Sequence, residues 1–202
     1  MEYNPDIFLA KMEELKSQFY NKNNKNVIFK KAQKIECAQS IADNFNMELL
    51  YSKTFYVIPN TNKIFVDYTI LKKYAHPTIY TDAIQYYLNL SLNVIHMYGT
   101  FEIHINLNSF TISAAERYKD SIVLFCNECL QNETRFALQM SKMYIYYTPS
   151  VIENILALFS KIIAPEITNK VVIINKMDSE KLLTELFIAN EENNSSEIFS
   201  SI

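Results

Sequence analysis

The chain has 202 residues, 49% of them hydrophobic and 20% charged, with a formal net charge of −3 at pH 7. That size and apolar content suit one compact domain, and the mild acidity argues against a general affinity for nucleic acid. Its single glycine, Gly99, excludes every glycine-rich phosphate cradle, so neither a P-loop nor a dinucleotide fingerprint can be written.

No stretch reaches the roughly 18–20 uninterrupted apolar residues of a membrane-spanning helix. The opening residues Met1 to Asp6 lack the basic and apolar regions of a secretory signal. An intracellular, cytoplasmic chain is therefore expected, with Cys37, Cys126 and Cys129 reduced. The crowding of Asn, Ile, Lys and Tyr resembles the product of an AT-rich genome, such as some protists and large DNA viruses have.

In chain order, Asn4-Pro5-Asp6 is a helix start: a side-chain cap, a first-turn proline and an acid at the positive end. Phe8, Met12, Leu15 and Phe19 give that helix one buried stripe. After a polar break at Asn21 to Asn26, a second helix is predicted from Lys31 to Phe45, ending near Asn44 or Asn46. Lys22, Lys25, Lys30, Lys31 and Lys34 surround this break. They read either as a solvated surface or as a patch that meets anionic lipid headgroups.

Thr54 to Ile58 and Lys63 to Asp67 form a hairpin around Pro59-Asn-Thr-Asn62. A short helix from Thr69 to Tyr74 is stopped by His76-Pro77, and a longer one from Thr81 to Tyr98 ends at Gly99. Ala83, Tyr87, Leu90, Val94 and Tyr98 form its main apolar stripe. Then come a strand over Phe101 to Asn108, a helix over Thr111 to Leu130 and a strand over Met143 to Thr148. A helix over Pro149 to Ile163 and a strand over Lys170 to Asn175 complete the block. This βαβαβ order predicts a largely parallel sheet, since parallel neighbours need crossovers. A last helix, capped by Asp178 or Ser179, carries Leu182, Leu183, Leu186 and Phe187. Beyond it Asn190 to Glu197 is polar and reads as a frayed tail.

The strand Phe101 to Asn108 has two unlike faces. Phe101, Ile103, Ile105 and Leu107 point one way; Glu102, His104, Asn106 and Asn108 point the other. The polar side must meet water, a polar cavity or partners that satisfy it.

Catalytic motifs are absent: HExxH, GxSxG and acidic metal clusters do not occur. Cys126-Asn-Glu-Cys129 falls near the end of its helix and on its apolar stripe. A redox CxxC needs a helix N-terminus, and a zinc site needs a second ligand pair. Two buried thiols one turn apart are expected. His76, His96 and His104 are scattered without a local Cys/His signature. No enzyme, cofactor or metal is expected, and an enzyme built on His104 and nearby acids is a remote option.

Several segments together resemble the CRAL-TRIO lipid-binding domain family. They are Ile103 to Phe110 as first strand and turn, Tyr144-Ile-Tyr-Tyr-Thr-Pro149 as second strand and proline, Val151 to Ile163 as gate helix, and Pro165-Glu-Ile-Thr-Asn-Lys-Val-Val-Ile173 as the run into the last strand. The family's first-turn glycine is replaced by Asn108-Ser109. The resemblance implies an α/β fold with a mixed, mainly parallel sheet flanked by helices. It divides the chain into a helical lead-in over 1–50, the CRAL-TRIO-like domain over 51–188 and a flexible acidic tail over 189–202.

It also implies a non-enzymatic module that binds or transfers a lipid, a phosphoinositide for instance, or another small apolar molecule. Its expected lining is Phe101, Ile103, Ile105, Tyr146, Ile152, Ile155, Leu156 and Phe159, unless the cavity opens on the opposite strand faces. Apolar residues cover well over half of the gate helix, which suits a lipid-cavity wall as well as a helix sandwiched between sheet and lead-in. Partners under this reading are the ligand, a membrane surface or a protein. The other reading is a structural or adaptor protein, a virion component for instance, that keeps the fold and has lost the cavity.

Overall fold

The structure is a computed structural model and describes residues 5–24, 28–130, 135–150, 152–159, 163 and 165–199. The first three helices are α1 (Pro5–Lys22), α2 (Lys30–Ala42) and α3 (Met47–Thr54). Of the α1 stripe, Phe8 and Met12 are buried, with Met12 1% exposed and the Phe8 ring 5.3 Å from Phe45, edge to face, while Leu15 and Phe19 are partly buried. The helix α3 was not expected. Asn46, read above as the end of the second helix, caps this third one: its Oδ1 accepts a hydrogen bond from the Leu49 N–H at 3.0 Å. The turn it starts buries Leu50 and Tyr51.

The strands are β1 (Phe55–Val57), β2 (Lys63–Asp67), β3 (Phe101–Asn106), β4 (Met140–Tyr146) and β5 (Val171–Ile173). They lie in one sheet in sequence order. β1 and β2 form the predicted antiparallel hairpin, and every later pairing is parallel. The three strands of the βαβαβ block therefore lie side by side, as their order predicts.

The sheet's connections decide where its faces point. α4 (Tyr68–Tyr74), a 3-10 turn (Pro77–Ile79) and α5 (Tyr80–Tyr98) join β2 to β3; α6 (Ile112–Arg117), α7 (Lys119–Cys129) and α8 (Arg135–Gln139) join β3 to β4. Next, α9 (Ile152–Phe159) and α10 (Pro165–Thr168) join β4 to β5. Each parallel strand is added on the same side of the last, and crossovers are right-handed, so these connections gather on one face. The other face is covered by α11 (Lys176–Phe199), which follows the last strand.

The register shows this division residue by residue. Ile64, Ile103, Met143 and Val171 are lateral neighbours and belong to the main core beneath the crossovers. One residue along, Phe65, His104, Tyr144 and Val172 are neighbours and face the other way. There Phe65 and Tyr146 pack with Leu183 and Leu186 of α11 in a second, smaller cluster.

Several boundaries differ from expectation. The helix over 111–130 is broken at Tyr118, whose φ of −97° and ψ of 13° separate α6 from α7. α11 begins at Lys176, and its cap is Asn175, not Asp178 or Ser179. The Asn175 Oδ1 accepts from the N–H groups of Met177 (2.8 Å) and Asp178 (3.0 Å). That helix runs on to Phe199, through residues whose composition predicts a frayed tail. Of the expected gate helix, Val151, Ser160, Lys161 and Ile162 lie outside the described residues, as do the side chains of Asn154, Leu158 and Phe159.

Candidate functional site: an apolar cavity behind α9

A cavity of about 270 Å³ lies between the sheet and the crossover helices. Its floor is the apolar face of the strands, with Val66, Ile103, Ile105, Met143 and Ile145. One wall is α9, from which Ile152, Ile155 and Leu156 point inward, with Ile163 beyond the helix end. The remaining walls are α4 (Leu71), α5 (Ala83, Ile84, Tyr87) and α7 (Ile122, Phe125, Cys126).

The reason for this lining is geometric. Alternation along β3 and β4 sends every second side chain under the crossovers, and the stripes of α5 and α7 close over them. α9 meets the cavity with the flank that carries Ile152, Ile155 and Leu156, and the first two of these are buried.

Five of the expected lining residues meet in this cavity: Ile103, Ile105, Ile152, Ile155 and Leu156. Phe101 shares their face of β3 but sits at the strand's start, where its ring packs on Phe136 at 4.8 Å and is fully buried. Tyr146 points to the opposite face, because it is the lateral neighbour of Asn106 and not of Ile105. The Phe159 side chain lies outside the described residues. The sequence pattern marks the stripes of α5 and α7 as apolar without assigning them to a cavity, and it gives α4 no lining role. Ala83 and Tyr87 stood on a stripe already singled out, but a stripe does not distinguish a packed neighbour from a void.

Two tyrosines in the cavity wall are unusual. The hydroxyls of Tyr80 and Tyr87 are buried and have no hydrogen-bond partner of good geometry among the described residues. Ser91, one turn beyond Tyr87, spends its hydroxyl on the Tyr87 carbonyl oxygen at 2.8 Å. Burial pushes the Tyr80 phenol up to about 12 and raises that of Tyr87 well above its usual range. Both stay protonated near neutral pH and keep a donor available. A buried donor without a partner costs about 1–3 kcal/mol.

The polar side of β3 resolves differently from a polar cavity. His104 is 4% exposed, its Nδ1 lies 2.8 Å from the Tyr146 hydroxyl, and its ring stacks on Tyr144 at 4.8 Å. A Glu102 oxygen is 3.4 Å from its Nε2. Partners therefore satisfy this side. Burial, with a smaller contribution from nearby Lys63, lowers the His104 pKa to about 4, so the ring is neutral at pH 7. The thiols of Cys126 and Cys129 are pushed up to about 11 and about 12, chiefly by burial. Such thiols are poor nucleophiles and poor metal ligands at neutral pH. No group of three or more His, Cys, Asp or Glu capable of holding a metal occurs among the described residues.

A family model described as the CRAL/TRIO domain matches residues 82–191, more than half of the chain. The chain belongs to the CRAL/TRIO family. The match takes in α5, the parallel strands β3 to β5 and the α9 wall. A solved structure titled "Crystal structure of Sfh5" is 11% identical, with a TM-score of 0.48 over 85% of this chain and 68% of that one. That likeness is too slight to add to the family match. No curated protein matches the sequence significantly.

The family's turn after its first strand shows what replaces a missing glycine. Ser109 takes φ 65° there, in the left-handed region that glycine adopts freely. The closing segment is held from below: the Lys170 ammonium donates to the carbonyl oxygens of Ala137 (3.0 Å) and Met140 (2.7 Å), tying the start of β5 to that of β4.

Proposed function

We propose that this CRAL/TRIO protein is a non-enzymatic module that holds a lipid or another small apolar molecule between its sheet and α9. The observation that carries the reading is the cavity itself: it is lined almost wholly by apolar side chains, most of them within the residues that the family model matches. Burial of each methylene there stabilises a complex by about 0.8 kcal/mol. A ligand oxygen that reaches Tyr80 or Tyr87 would also give an orphaned hydroxyl its partner. At about 270 Å³ the cavity lies just under the roughly 300–1,000 Å³ usual for ligand pockets. A slender ligand fits this state, and a two-chain phospholipid requires α9 to swing outward.

Native mass spectrometry of gently purified protein, paired with transfer of labelled lipids between vesicles, tests the reading. We expect an adduct that organic solvent extracts, together with measurable transfer. Ala83→Phe, which places a ring in the cavity, should abolish both while the chain stays folded. A bare mass together with no transfer by the unaltered protein would refute it.

One observation favours a second reading, that of a structural or adaptor protein. Phe55, Tyr68, Phe110, Tyr118 and Phe125 crowd the same cavity, as expected of a site filling with bulky side chains. That reading predicts a bare mass and a stable complex with a protein partner on size-exclusion chromatography.

A further inference from the structure

We infer that the corner between α1 and α2 is a membrane-docking wedge, built to insert into an anionic lipid surface. Ile28 and Phe29 are adjacent at the start of α2 and stand 83% and 66% exposed. Apolar side chains of this size, side by side and so open, are unusual on a chain that buries most of its aromatic rings.

Charge surrounds them. Lys22 ends α1, and Lys30, Lys31 and Lys34 follow on the first turns of α2; all are exposed. No carboxylate occurs between Lys22 and Ile35 in the sequence. None of the four described lysines forms an ion pair with a described residue. An otherwise acidic chain thus carries one local cationic collar around one apolar tip.

The tip is held in place. The Gln33 side-chain amide donates to the carbonyl oxygens of Asn23 at 2.9 Å and Asn24 at 2.8 Å, and its backbone N–H donates to the Phe29 carbonyl oxygen at 3.1 Å. The end of α1 and the start of α2 are clamped together, so Ile28 and Phe29 are presented without a large ordering cost.

The chemistry favours a lipid surface over an acidic protein or a nucleic acid. Lysine is a flexible point charge, suited to a diffuse layer of headgroups; a defined carboxylate or phosphate is more often gripped by the planar fork of arginine. An apolar tip beneath cations is the interfacial arrangement, in which side chains enter the acyl boundary while ammonium groups stay at headgroup level. No described helix is long and apolar enough to cross a membrane, so this contact is peripheral. The inference stands apart from the cavity reading, because neither Ile28 nor Phe29 lines the cavity.

The chain contains no tryptophan, which gives a direct test. In the full-length Phe29→Trp variant, the only indole reports on the tip. With vesicles of mixed phosphatidylserine and phosphatidylcholine, its emission should shift to the blue and be quenched by lipids brominated on their acyl chains. Leu138→Trp, at an exposed position elsewhere, should stay unshifted. Binding by sedimentation should weaken about fivefold for each of Lys30→Gln, Lys31→Gln and Lys34→Gln, and further as salt rises. It should fall at least tenfold in the double variant Ile28→Ser/Phe29→Ser. Sedimentation with an unshifted indole would overturn the inference. So would equal binding to pure phosphatidylcholine, or an absence of vesicle binding alongside capture of an acidic protein. Native mass spectra of the double variant should retain any cavity ligand, which separates this test from that of the cavity.

Discussion

Beneath the crossovers, the strands present Ile64, Ile103, Met143, Ile105 and Ile145, and the helices above them fail to close completely, leaving an apolar void. Toward α11, the same strands present Phe65, His104, Tyr144 and Tyr146, which stack and hydrogen-bond into a filled layer. One sheet thus carries a proposed binding face, which holds the cavity, and a locking face, which is filled. The difference follows from the connections: several separate helices of unequal length lie on one side, and a single helix on a polar-aromatic layer lies on the other. The cavity lies on the side where packing is divided among many pieces.

The contrast can be tested from its strongest element downward. Phe101 belongs to the binding face but sits beyond the void, fully buried against Phe136. Phe101→Ala should cost about 3–5 kcal/mol in denaturant melts. A cost near 1 kcal/mol would show that the void extends to the strand's start.

The locking face should show itself in acid. Burial lowers the folded pKa of His104 to about 4, below the 6.5 usual for an imidazole in water, so the unfolded chain takes up a proton first as pH falls. Its share of stability is complete above pH 6.5 and is lost as pH drops toward 4, by on the order of 3 kcal/mol. His76, also lowered by burial, adds in the same direction. His104→Phe should flatten the fall between pH 6.5 and 4, and an unchanged slope would remove His104 as its source.

Ser179 ties α11 to the sheet. Its hydroxyl accepts from the Tyr147 N–H at 2.7 Å and donates to the Asn175 carbonyl oxygen at 2.6 Å, with no exposure. Ser179→Ala strands the Tyr147 N–H and should cost about 1–3 kcal/mol. If the locking face works separately from the binding face, cavity ligand content should be unchanged in that variant. The smallest effect concerns the turn after β3: Ser109→Gly should stabilise by up to about 1 kcal/mol, since it relieves a positive φ. A thermal melt reads it directly.

Much of this arrangement was written in local pattern. The hairpin, the order of strands and the Val171–Ile173 strand follow from period-two runs, turn residues and crossover length. The side on which Tyr146 falls was not legible. Met143-Tyr-Ile-Tyr146 is apolar at every position because both of its faces are buried, so alternation leaves no mark of which parity meets which layer. α3 escaped because an asparagine between two helical patterns can close one or open the next, and only the Leu49 N–H shows which. The cavity walls from α5 and α7 escaped for another reason. A side chain beside a void and one beside a neighbour have the same chemistry, and only the packed fold separates them. His104 reads as a polar residue seeking a partner, and its partner Tyr146 is 42 residues away.

The order of the strands across the sheet is also the order in which a ribosome would deliver them. Each parallel strand can settle beside a neighbour already made, and the α9 wall and the edge strand arrive after the floor is laid. During synthesis the floor of the cavity therefore stays uncovered until the residues of α9 emerge.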